Sequence, residues 1–121
     1  MDSQDLRSMG SRITIAREVV PVTIDVSEDT TEGTADIPVN GEVKQLVVTV
    51  PQLKGTGTTV TVELRNEDGA VLDQKASIAE NGITVYRPTA ATVLCGVTTV
   101  YVLASAAQDE DMEIEVALYL K

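Results

Sequence analysis

Residues 112–121, MEIEVALYLK, alternate without a break: Met112, Ile114, Val116, Leu118 and Leu120 fall on one side, and Glu113, Glu115, Ala117, Tyr119 and Lys121 on the other. A period of two marks a strand with one buried face, whereas a helix brings its apolar positions back every three to four residues. Residues 59–65 repeat the pattern, with Val60, Val62 and Leu64 facing inward between Thr59, Thr61, Glu63 and Arg65. A chain built this way must form sheets and cover one face of each.

The remaining segments fit the same plan. After Arg65, Asn66-Glu67-Asp68-Gly69 supplies turn chemistry, so residues 58–78 read as one β-hairpin, and residues 59–78 and 112–120 are expected to supply central strands. Its return strand is expected to turn Leu72, Gln74, Ala76 and Ile78 inward, because a slip of one residue would put Asp73 and Lys75 in the core. Asn40-Gly41 is the strongest two-residue hairpin signal, joining a short strand over 34–39 to a strand over 43–50 that buries Leu46, Val48 and Val50. Asn81-Gly82 is a further turn. Residues 12–26 read as two strand pieces, and Pro21, which lacks an N–H, assigns them to an edge or a bulge. Residues 89–96 read as a connection capping one end, and VTTVYVLA over 97–104, apolar on both faces, reads as a central strand.

About eight strands, closely spaced turns and no helical periodicity predict an all-β, single-domain antiparallel β-sandwich of jelly-roll or immunoglobulin-like type over residues 12–121. Residues 1–11 are polar and carry neither period, which predicts a flexible N-terminal arm. Val, Ile, Leu and Ala make up nearly all of the apolar content, and only 3 Tyr, no Phe and no Trp are present. Cys95, the single cysteine, has no partner for an intramolecular disulfide and is expected to be a small buried residue.

The same inventory bears on function. The chain has no His, so the commonest general base and metal ligand is missing, and no nucleophile elbow, phosphate loop or protease motif appears. The expectation is a protein that is not an enzyme and has no cofactor. Asp25-Glu28-Asp29-Glu32 and Asp109-Glu110-Asp111-Glu113 lack the spacing of a calcium loop and read as solvated acidic loops. A formal charge of -10 disfavours nucleic acid and anionic membrane surfaces as partners, and scarce aromatic residues disfavour sugar and base stacking. No window approaches the length of a membrane span, and no basic-then-apolar leader opens the sequence. Against that acidic body, Arg7, Arg12 and Arg17 place 3 of the 9 basic residues in the first 17 positions, which marks a basic end suited to an acidic groove on a partner. Tyr119, on the solvent side of the last strand, is the aromatic residue best placed for a partner contact.

A small acidic Val/Thr-rich sandwich with a polar N-terminal arm and a terminal strand pair VTTVYVLASAAQDEDMEIEVALYLK resembles the small structural proteins of tailed-bacteriophage virions, in particular capsid decoration or cement proteins. The resemblance implies location in the virion after synthesis in the host cytoplasm. It also implies binding to the major capsid protein or another virion protein, and assembly of several copies, a trimer above all. The apolar outer face of VTTVYVLA would serve that assembly. A receptor-binding or adhesion module of a fibre, and a tail or head-to-tail connector component, are the competing expectations.

Overall fold

The computed structural model describes residues 15–25 and 31–121. It is all-β and has two antiparallel sheets, the predicted sandwich. The strands are β1 (Ala16–Ile24), β2 (Glu32–Pro38), β3 (Gly41–Val50), β4 (Thr59–Arg65), β5 (Val71–Ala79), β6 (Gly82–Tyr86), β7 (Val93–Leu94), β8 (Val97–Ala104) and β9 (Met112–Leu120). Sheet A has the order β1-β9-β3-β6, with two-residue β7 pairing the start of β3, and sheet B has the order β2-β8-β4-β5. The two most regular sequence patterns became interior strands, β9 between β1 and β3 and β4 between β8 and β5, and β8, expected to be central, lies between β2 and β4.

The core lies between the sheets and is almost wholly branched aliphatic. Val22, Ile24, Val48, Ile114, Val116 and Leu118 of sheet A meet Val60, Val62, Leu64, Val100 and Val102 of sheet B, all with 1% or less of their surface exposed. Every inward residue expected on β3, β4 and β9 is buried or packed on this cluster. β1 runs as one strand over its described length and forms an edge of sheet A, which accommodates Pro21.

Four expectations are corrected. Asn40-Gly41 does not close a hairpin, because β2 belongs to sheet B and β3 to sheet A. The pair makes a corner between sheets, with Gly41 at φ 135° and the Asn40 side chain accepting the Gly96 N–H at 3.1 Å. Cys95 is exposed, since Leu94 and Gly96 flank it in a tight return and only Leu94 turns into the core. β5 is an edge strand rather than a central one.

The fourth correction concerns the inward face of β5. Val60 pairs with Ile78, yet Val62 pairs with Lys75, so Thr61 stands opposite two residues, Ala76 and Ser77. Ser77 adopts φ 59°, and this β-bulge resets the alternation. Ile78 stays buried, Leu72, Gln74 and Ala76 face solvent, and Asp73 and Lys75 turn inward. They do so at the margin of the sandwich, where Tyr86 on β6 donates its hydroxyl to Asp73 Oδ1 at 3.0 Å and its ring lies 5.8 Å from the Lys75 ammonium. Inward charges on an edge strand discourage pairing with another chain. The opposite margin closes differently: Gly33 on β2 lets the β1 backbone at Thr23 approach so closely that a Cβ there would collide with it.

The connection of β4 to β5 is the predicted hairpin. Asn66 organises its turn, accepting the N–H groups of Asp68 and Ala70 on its side chain, while Gly69 takes φ 85°.

Candidate functional site

Alternation in sheet A fixes what its outer face carries. Arg17 pairs with Tyr119, which pairs with Gln45. The next outward row is Val19, Ala117, Val47 and Val85, one residue from each of the four strands. The row after that is Pro21, Glu115, Thr49 and Ile83. An uninterrupted apolar line therefore crosses the whole sheet on the side away from the core. Ala117 is small enough to be covered by its neighbours and is only 2% exposed, although it is not part of the core cluster. Val19 keeps 36%, Val85 51% and Ile83 68% of their surface in water.

Of the basic and aromatic residues expected to meet a partner, Arg17 and Tyr119 are brought together at one border of this line. Arg17 Nε donates to Tyr119 Oη at 2.9 Å, and its guanidinium lies 5.8 Å from the ring centroid. Arg17 thus leans from the edge strand over β9. Arg7 and Arg12, and the arm as a whole, lie outside the described residues. Glu113 and Glu115 stand toward the other border of the line, so charge changes sign along β9.

Sheet B presents a different outer face. Tyr101 donates its hydroxyl to Glu32, and the Arg65 guanidinium stacks 3.9 Å from the Tyr101 ring centroid while bonding Glu63 at 2.7 Å. Gln74 reaches the other oxygen of Glu63 at 2.7 Å, and Thr99 donates to Asp36 at 2.7 Å. Thr99 and Tyr101, on the outer side of VTTVYVLA, are therefore held in a polar lattice; the exposed apolar residues of sheet B, Val71, Leu72 and Val97, lie at its margins, and the apolar row that crosses four strands is on sheet A. The hydrogen bond to Glu32, and after it burial, raises the pKa of Tyr101 above its usual 10.0. Burial, followed by the bond to Asp73, does the same for Tyr86.

One end of the sandwich holds a recess of about 500 Å³ lined by Gln52, Leu53, Gly55, Thr56, Gly57, Glu80 and Asn81. Its only ionisable side chain, Glu80, already accepts the Leu53 N–H at 2.8 Å. Buried Gln108 secures the loop behind it through the backbone of Lys54 and Ala106. Nothing in the recess is a nucleophile with a base beside it. Among the described residues, no three acidic, His or Cys side chains gather where a metal ion could be held.

The apolar line was readable only in part from the sequence. Each strand contributes one residue, and the traces are doublets such as Val19-Val20 and Val47-Val48, in which the second residue belongs to the core. The strand order is needed to see that the first members align.

No protein-family model matches this chain, and no curated protein matches it. Among solved structures, dimeric latent PorU from Porphyromonas gingivalis is similar over 90% of this chain at 13% identity, with a TM-score of 0.37. The chain spans 13% of the length of that protein.

Proposed function

We propose that this protein is a non-enzymatic structural module, a decoration or cement protein of a tailed-bacteriophage capsid, that joins neighbouring subunits of the assembly through the outer face of sheet A. The observation that carries the docking part of this reading is the line Val19–Ala117–Val47–Val85, bordered by the Arg17–Tyr119 pair. Withdrawing each half-exposed Val or Ile from water contributes about 1 kcal/mol. Aromatic and Arg residues at the border are the types that anchor interfaces. The virion part rests on the resemblance of the sequence.

The test is co-sedimentation of the full chain with shells assembled from the major capsid protein of the same genome. Wild-type protein should pellet with the shells. The Val19→Asp/Val85→Asp variant, altered at two exposed positions, should keep its melting temperature and stay in the supernatant. Binding by the variant as tight as wild type would remove sheet A from the reading, and a wild-type protein that ignores the shells would remove the virion.

A further inference from the structure

The charges that flank the apolar line are arranged antisymmetrically about it. On β9, Ala117 sits on the line, Tyr119 with its bound Arg17 and then Lys121 lie to one side, and Glu115 and Glu113 lie at the matching distances on the other. Two residues of strand advance about 7 Å, so Tyr119 and Glu115 stand roughly 13 Å apart along the same strand. Arg17 and Glu115 therefore do not meet within one chain, and among the described residues Glu113 and Glu115 have no ion-pair partner.

We infer that the neighbour seated on this face is a second copy of the same chain, related by a two-fold axis that lies along the apolar line. The inference rests on the reading of this face as the docking surface and names its occupant in the free protein, which gives way when the same face docks on a shell. Rotation about that axis lays β9 antiparallel across β9 of the second copy. Ala117 meets Ala117, the Arg17–Tyr119 pair meets Glu115, Lys121 meets Glu113, and each contact occurs twice, as an isologous interface requires. Arg17 is positioned for this because its bond to Tyr119 carries it off the edge strand and over the β9 column, where Glu115 of the second copy would stand. A partner with a single sign of charge would satisfy one border of the line and be repelled by the other.

Size sets the strength of such a contact. Strands of about nine residues and four strands about 4.8 Å apart give a footprint on the order of 600 Å² per copy. That is about 1,200 Å² in total, at the lower limit for specific interfaces, and it predicts a reversible dimer rather than an obligate one. The formal charge of -10 on each copy opposes approach, but physiological salt screens it beyond about 8 Å and leaves pairs in contact largely unscreened. Two-fold closure ends at two copies, in place of the trimer that the sequence resemblance implies.

Sedimentation equilibrium of the full chain across a wide concentration range tests the inference. Wild-type protein should pass from monomer to dimer. Arg17→Glu and Glu115→Arg, both at exposed positions, should each raise the dimer dissociation constant by about tenfold or more with melting temperature unchanged. The double variant Arg17→Glu/Glu115→Arg should bring it back toward wild type, since the swap restores both cross-copy pairs. A monomer at every concentration, a trimer, or a double variant no tighter than the single ones would overturn it. A wild-type protein that binds shells through sheet A yet stays monomeric when free would overturn the second-copy occupant and leave the docking face standing.

Discussion

Deleting Ser77 from the middle of β5 should leave the protein folded and nearly as stable as before. Removing one residue from a strand ordinarily sends every side chain beyond it to the wrong face. Here Ser77 is the surplus residue of the bulge, and both flanking registers, Val60 against Ile78 and Val62 against Lys75, survive its loss unchanged. Thr61 would then face Ala76 alone, with Ile78 still inward and Ala76 still outward. Ser77 at φ 59° carries left-handed strain of about 1 kcal/mol, which the deletion releases. The extra twist that the bulge gives the edge strand is lost, at a cost of similar size, so the net change should stay within about 1 kcal/mol. In urea, where a domain of this size loses about 2 kcal/mol of stability per molar, the midpoint should move by less than about 0.5 M. Were β5 instead unbulged, with Leu72 and Ala76 inward, the deletion would expose both and cost about 2 to 5 kcal/mol. A midpoint lowered by more than about 1 M, or loss of the cooperative transition, would refute the bulged register.

Three further outcomes are expected. Val62→Asp and Val116→Asp, at positions 1% and 0% exposed, each bury a carboxylate without a partner at a cost of several kcal/mol against a typical total of about 5 to 15, so neither variant should show a cooperative melt by circular dichroism. Gly33→Ala forces a methyl against the Thr23 carbonyl and should lower stability by about 1 to 3 kcal/mol in denaturant titration, which identifies the β1/β2 margin as a contact of backbone on backbone. Tyr101 has a folded pKa above its unfolded 10.0, because Glu32 and burial favour the protonated phenol. Its contribution is therefore complete below pH 10 and lost as pH rises through the folded pKa. Melting temperatures taken across that alkaline range should fall more steeply for wild type than for Tyr101→Phe.

Where one face of a strand is buried and the ladder is regular, the sequence spells out the structure: β4, β9 and the part of β3 from Leu46 onward place their inward residues where period-two alternation puts them, while Val43, buried before a register shift in β3, breaks it. β5 defeats that rule because a bulge adds a residue without a sequence mark beyond Ser77, a residue of no special turn preference in this setting. Asn40-Gly41 misleads for another reason. The dipeptide favours a positive φ, which a corner between sheets uses as readily as a hairpin does, so it fixes the local backbone and not the partner strand. The Arg17–Tyr119 pair was half legible, since both residues stand out as exposed candidates while their adjacency depends on β1 lying beside β9. The apolar line on sheet A needed the full strand order.

That strand order also governs when the molecule can come into being. β8 and β9 follow the other seven strands along the chain, and each occupies an interior position of its sheet, β8 between β2 and β4 and β9 between β1 and β3. Until they emerge, β1 and β2 have no ladder partner among the described residues, whose remaining pairings are the β4–β5 hairpin and the ladders of β3 with β6 and β7. Sheets closed by such distant pairings assemble on the millisecond-to-second scale rather than in microseconds. Until β8 and β9 emerge the nascent chain therefore holds its valine-rich strand edges open, and a sparse supply of chaperone should limit its yield before any weakness of the finished core does.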